Sequence, residues 1–219
     1  MGESIVNING SNIQTLELFF IMTVMMLLPS IVVMMTSFTR IVIVLSFTRN
    51  ALGTQQTPPN TVLVGIALFL TLFIMSPTLE AVNRDAYIPY KNEEITQEEA
   101  LKRASVPMKE FMLGETEISS LNMYLDFAGE EMPEDVNELP LKIVIPAFMT
   151  SELKQAFIMG FLIFIPFLLI DIVVSSALMS MGMIMLPPAT ISLPFKLLLF
   201  VTVDGWELLF STLVKGFGG

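Results

Sequence analysis

The sequence predicts an all-α protein built from two hydrophobic helical hairpins, about four long and kinked helices, separated by a partly helical acidic insert. Three observations carry that expectation. Long stretches lack charge: Leu18–Thr39, Asn50–Leu79, and Gln155–Pro194 with Asp171 as its one exception. The charges are concentrated elsewhere, with 15 of 21 acidic and 7 of 11 basic residues between positions 84 and 154. And one turn pattern occurs twice, once in each apolar block.

The composition agrees. The chain has 219 residues, 53% hydrophobic and 15% charged, against about 25% charged in a soluble domain. A bilayer-spanning helix needs about 20 apolar residues, and four segments supply them: about 18–39, 61–79, 156–178 and 190–214. Their apolar residues are not confined to one stripe, as expected of helices covered all round. Membrane lipid is thus an expected neighbour. Cysteine and histidine are absent, which excludes disulfides, thiol nucleophiles, Cys/His zinc sites and histidine acid–base chemistry. The net charge of −10 disfavours nucleic acid, whose phosphates need clustered Lys and Arg. Neither a Walker-type loop nor a GxSxG elbow occurs, and no enzyme, cofactor or metal site is expected.

The organisation follows the charge: a polar tail over 1–17, a first hairpin over 18–79, an acidic insert over 80–154, and a second hairpin with the C-terminus over 155–219. The tail holds Glu3 and Glu17 but no Lys or Arg, so a signal peptide, which begins with a basic region, is not evident. Arg40 and Arg49, each ending a Ser-Phe-Thr-Arg tetrapeptide, read as anchors at a membrane surface. As short-loop basic residues they place the 40–60 turn inside and both termini and the insert outside. Within the insert, Thr96-Gln-Glu-Glu99 is a capping box. It predicts a helix to about Leu113, ended by Gly114 and kinked at Pro107.

The repeated turn reads Gly53-Thr-Gln-Gln-Thr-Pro-Pro-Asn-Thr61 in the first block and Gly182-Met-Ile-Met-Leu-Pro-Pro-Ala-Thr190 in the second. Gly ends the incoming helix and Pro opens the outgoing one. The four residues between them differ: Thr54–Thr57 are polar, Met183–Leu186 apolar. An apolar turn in water needs a cover, and Met suits irregular partners. Asp171, alone in its block, marks an interior position, since a carboxylate at mid-membrane costs about 2.5–3.5 kcal/mol. Lys196 across the second hairpin is its candidate partner. Lys196 and Asp204, eight residues apart, fall near one helical face. Ala156 and Gly160 form a small-xxx-small pair that permits close helix contact.

Two stretches go beyond pattern. Ser37-Phe-Thr-Arg-Ile-Val-Ile-Val-Leu-Ser-Phe-Thr-Arg-Asn-Ala-Leu-Gly-Thr-Gln-Gln-Thr-Pro-Pro-Asn60 closely resembles the first signature of the FliP family. Phe164-Ile-Pro-Phe-Leu-Leu-Ile-Asp171, with Met185-Leu-Pro-Pro-Ala-Thr-Ile-Ser-Leu-Pro-Phe-Lys196 and Val203-Asp-Gly-Trp206, resembles the second. The likeness runs from about residue 16 to 210.

The resemblance implies a non-enzymatic core subunit of the flagellar type III export gate. Several copies would assemble with FliQ and FliR into a helical, ring-like cone that admits unfolded export substrates. Membership implies the bacterial inner membrane and the flagellar basal body, with the gate largely at periplasmic level. The family's Met-rich pore gasket maps to Met183, Ile184 and Met185, with Ile184 where Met is common. Its notable Asp maps to Asp171, which with Lys196 and Asp204 is expected to serve assembly as buried charge. An injectisome homologue is the nearest alternative. A secondary transporter or ion channel is the alternative of another class; the isolated Asp171 suits it and the apolar turn does not.

Overall fold

A computed structural model describes residues 5–8, 11–54, 56–183 and 185–217. The described residues are mostly helical, with an antiparallel ribbon of β1 (Ile5–Ile8) and β2 (Ser11–Gln14) in the tail. The helices are α1 (Thr15–Met34), α2 (Phe38–Leu52), α3 (Asn60–Val82), α4 (Ile88–Lys91), α5 (Gln97–Glu115), α6 (Ile118–Ala128), α7 (Leu141–Ser180), α8 (Pro188–Thr202) and α9 (Gly205–Lys215). A π-helical turn, Asn83–Tyr87, joins α3 to α4 into one rod from Asn60 to Lys91.

Two of these rods, Asn60–Lys91 and Leu141–Ser180, are long and apolar enough to cross a membrane unbroken. The other two expected spans are bent pairs. The first breaks between α1 and α2, so residues 40–52 of the expected 40–60 turn lie in a helix. The orientation argument from short-loop arginines therefore loses its loop. The last breaks by 62° between α8 and α9, where Asp204 takes a left-handed φ of 51°. Gly205 is required beside it: a Cβ there would lie 2.3 Å from the Phe200 ring. Asp204 is the residue before α9, so it does not share a helical face with Lys196 of α8.

The third helix begins at Leu141, well before residue 156. At 1.5 Å per residue it is about 60 Å long, some twice the hydrocarbon thickness of a bilayer. Its first turns carry the insert, whose α5 and α6 pack on Ile143, Val144, Ala147 and Phe148 through Met112, Leu121 and Leu125. Half of the capping box forms: the Glu99 amide donates to Thr96 Oγ1 at 3.3 Å, while the Glu99 carboxylate accepts from Arg103 instead of reaching back. The helix it opens runs through Gly114 to Glu115, with Pro107 inside it.

A second core joins the hairpins. Ile41, Val44 and Leu45 of α2 meet Leu63 and Ala67 of α3, Ala156 of α7, and Leu209 and Leu213 of α9. Gly160 lets α2 close on α7, since a Cβ there would lie 2.6 Å from Phe47. The Ala156/Gly160 spacing thus serves a contact within one chain.

Candidate functional site

The second hairpin holds the chemistry that the sequence singled out. Asp171 lies on α7, about three-quarters of the way to its C-terminus, and Ser192 and Lys196 lie one turn apart on α8. Lys196 Nζ donates to Asp171 Oδ2 at 2.6 Å and to the Ala51 carbonyl at 3.2 Å. Ser192 Oγ donates to the other carboxylate oxygen at 2.6 Å. Both oxygens of Asp171 are therefore occupied. The Lys196 side chain is 6% exposed and that of Asp171 32%, so the pair is closed on one side and open on the other. Its link to Ala51 also sets a positive charge at the C-terminal end of α2, where the helix dipole favours one.

The residues Arg40, Glu115 and Glu152 form a second node, one that sequence reading missed. Arg40 was expected at a membrane surface; it is buried instead. Its Nε donates to Glu152 Oε2 at 3.0 Å, and its Nη2 bonds Glu152 Oε1 as well as Glu115 Oε2 at 2.8 Å. Nη1 donates to the Gly216 carbonyl at 3.1 Å, and the guanidinium lies 3.8 Å over the Phe217 ring. One side chain thus fastens α2 to α5, α7 and the end of α9. Arginine suits the role, since its planar fork matches a carboxylate and stacks on an aromatic face. Because α7 starts at Leu141, Glu152 falls in its interior and is fully buried. The partners are 75 and 112 residues from Arg40, beyond any local spacing rule.

Beside the node, Glu117 caps the insert's link to α7. Lys154 donates to its carboxylate at 2.5 Å and Gln155 at 3.1 Å. The Lys154 bond holds the Glu117 carboxyl below its ordinary range.

Arg49, too, has partners within the chain. It is half-buried, and its Nη1 donates to Asn60 Oδ1 at 2.5 Å and to the Pro58 carbonyl at 3.3 Å. It ties the end of α2 to the start of α3 across the first turn. Asp204, expected as buried charge, is exposed at the α8–α9 elbow.

The two turns share a left-handed glycine and differ in the residues that follow it. Gly53 and Gly182 both take the left-handed conformation, at φ 76° and 73°. In the second turn the Met183 amide bonds the Leu178 carbonyl and the Gly182 amide that of Met179, the paired bonds of a Schellman motif. The first turn is held by side chains, including Arg49 and Thr54. The second presents Met179, Met181, Met183, Met185 and Leu186 outward, Met185 almost wholly exposed. Ile184, expected as part of the same apolar tip, lies outside the described residues.

An apolar groove of about 410 Å³ lies under the elbow, walled by Met159, Pro166 and Phe167 of α7, Phe200 of α8, and Leu208 of α9. Among the described residues no three His, Cys, Asp or Glu side chains converge as metal ligands.

Comparison with known proteins places this architecture. The model of the FliP family matches residues 21–213. The chain is 52% identical over 203 residues to the flagellar biosynthetic protein FliP of Bacillus subtilis, covering 93% of this chain and 92% of that one. To the protein of that name from Aquifex aeolicus it is 49% identical, over 95% of this chain and 88% of the relative. To that of Buchnera aphidicola from Acyrthosiphon pisum it is 53% identical over 90% of this chain, which spans about half (52%) of the relative's length. The match takes in both turns, both charge nodes and nearly the whole insert, and the chain belongs to the FliP family.

Proposed function

We propose that this chain is a core subunit of the flagellar type III protein export gate. Several copies assemble with FliQ and FliR in the bacterial inner membrane, forming at periplasmic level the entry pore for unfolded export substrates. Asp171 and Lys196 hold the second hairpin in the shape that assembly needs. The Met183–Met185 turn closes the idle pore.

The observation that carries this reading is the outward-facing apolar tip of the second hairpin. Its backbone is fixed by a helix-capping motif while its side chains touch little of their own chain. The equivalent turn of the first hairpin is polar and pinned. A cover specific to one hairpin is therefore required, and a ring of copies supplies it. Such a ring excludes ions by dewetting, and flexible Met side chains reshape around a passing chain. The exposed apolar residues along α7 and α8 (Phe157, Phe161, Leu169, Val173, Phe195, Leu198) give the neighbouring subunits a surface to bury.

Two measurements test it. Native mass spectrometry of the complex in mild detergent should give a multimer; a stable monomer would overturn the assembly. Replacing Met183 and Met185 together by Ala should let small ions leak through the membrane while protein export continues. A variant that stays tight to ions and merely fails to assemble would show these residues to be packing groups.

A further inference from the structure

The side chains of the second turn share one chemical liability. Four of its residues, Met179, Met181, Met183 and Met185, are thioethers within a span of seven positions, 66%, 67%, 43% and 98% exposed. The core methionines Met75 and Met112 are 1% and 0% exposed. A thioether that a peroxide can reach is oxidised to the sulfoxide, which converts a flexible apolar side chain into a polar one, and the change is reversible by dedicated reductases. Leu and Ile would fill an apolar tip without this susceptibility.

We propose that Met183 and Met185 form a peroxide-sensitive element, whose oxidation makes the apolar tip polar and wets the closed pore. The proposal rests on the gate reading given above. In the step itself the Met sulfur attacks one oxygen of hydrogen peroxide and the O–O bond breaks. That oxygen stays on sulfur as the sulfoxide, and the other leaves as water after a proton transfer. Sulfur is oxidised by two electrons and peroxide is reduced by two. A dewetted constriction depends on the absence of polar groups along its wall. Each sulfoxide adds a strong acceptor there, multiplied by the number of copies in the ring. The methionines Met22, Met25 and Met26 of α1 are also exposed, so the test must isolate the turn.

The experiment uses the intact gate complex, purified through a tag on this chain and reconstituted in lipid vesicles. Conductance is read before and after hydrogen peroxide, and peptide mass spectrometry locates the added oxygen. The wild-type complex should gain conductance in step with about 16 Da added at Met183 and Met185, and a methionine sulfoxide reductase should reverse the gain. The double variant Met183→Leu/Met185→Leu should show no increment after peroxide, whatever its starting level. An equal increment in the Leu variant assigns the effect to other methionines and overturns the proposal. So does a wild-type pore that stays tight with both residues oxidised. Met183→Gln/Met185→Gln, without oxidant, separates the two readings. A leaking Gln variant upholds the gate whatever peroxide does, whereas a tight one overturns the gate and this inference with it.

Discussion

Helix α2 ends in two very different electrostatic regions, about 16 Å apart along its axis at 1.5 Å per residue. At its start Arg40 is enclosed by three other elements, its fork filled by Glu152 and Glu115 and its remaining nitrogen on a backbone carbonyl. At its end the Ala51 carbonyl meets Lys196, whose own partner Asp171 keeps a third of its side chain open. Both regions bring charge into an apolar chain. The first uses it inward, to lock the insert and the C-terminus onto the hairpins. The second leaves a face free on the hairpin that carries the exposed turn. A sealed ion pair fixes a fold, and a half-open one is available to a neighbour. The same sequence device, a lone charge in an apolar run, therefore marks two different tasks.

The largest effect should come from the sealed node. Replacing Arg40 by Ala leaves Glu152 buried without its partner, a loss of about 3–5 kcal/mol. Thermal unfolding of the purified chain in detergent should shift far down or show no folded state. Arg40→Lys should rescue only part, because a lysine ammonium cannot reproduce the fork. A lysine variant as stable as the wild type would mean that point charge alone suffices.

Next in size is the half-open pair. Removing the carboxylate in Asp171→Ala strands Lys196 beside the Ala51 carbonyl, and the loss is smaller, about 1–3 kcal/mol, because water reaches one side. Assembly and export should fall more than the isolated fold does. An exposed insert acid gives the scale: Glu134→Ala should stay within about 0.5 kcal/mol. Asp171→Asn keeps the shape and can still accept from Ser192 without the charge. Normal assembly and export by the Asn variant would exclude both a need for the charge and a proton relay at this position.

The contrast between the ends also shows what sequence can disclose. The hairpins, the capping box at Thr96 and the twin turns rest on local spacing, and the helix rules read them directly. Asp171 stood out because charge in an apolar run is conspicuous, and its partner was one hairpin away. Arg40 was equally conspicuous and was misread, because the surface anchor is the commonest use of such an arginine. Its true partners come from α5 and α7, and they can be found only once the insert is folded back onto α7. The start of α7 at Leu141 was hidden by Lys142, Glu152 and Lys154, which resemble a solvated segment although one of the three is buried. The elbow at Asp204 was hidden too: Asp-Gly signals a turn, but the apolar residues on both sides continue a helical pattern across it.

The smallest effect sharpens the comparison most, because it concerns the second Ser-Phe-Thr-Arg. Arg49 stands nine residues after Arg40 and thus two and a half turns on, facing away from the sealed node. Among the described residues it meets no carboxylate; its bonds go to the Asn60 side chain and the Pro58 carbonyl. Both acceptors are neutral and the side chain is partly wet, so Arg49→Ala should cost about 1 kcal/mol, well below Arg40→Ala. The change should also be local. The Val62 and Leu63 amides, which bond the Pro59 carbonyl at the start of α3, should lose protection in hydrogen exchange. The Met183 amide of the second turn should keep its rate, because a backbone motif rather than an arginine holds it. Equal deprotection of both turns would mean that the two hairpin tips are coupled through α8, and that the division between a pinned turn and an independent one does not hold.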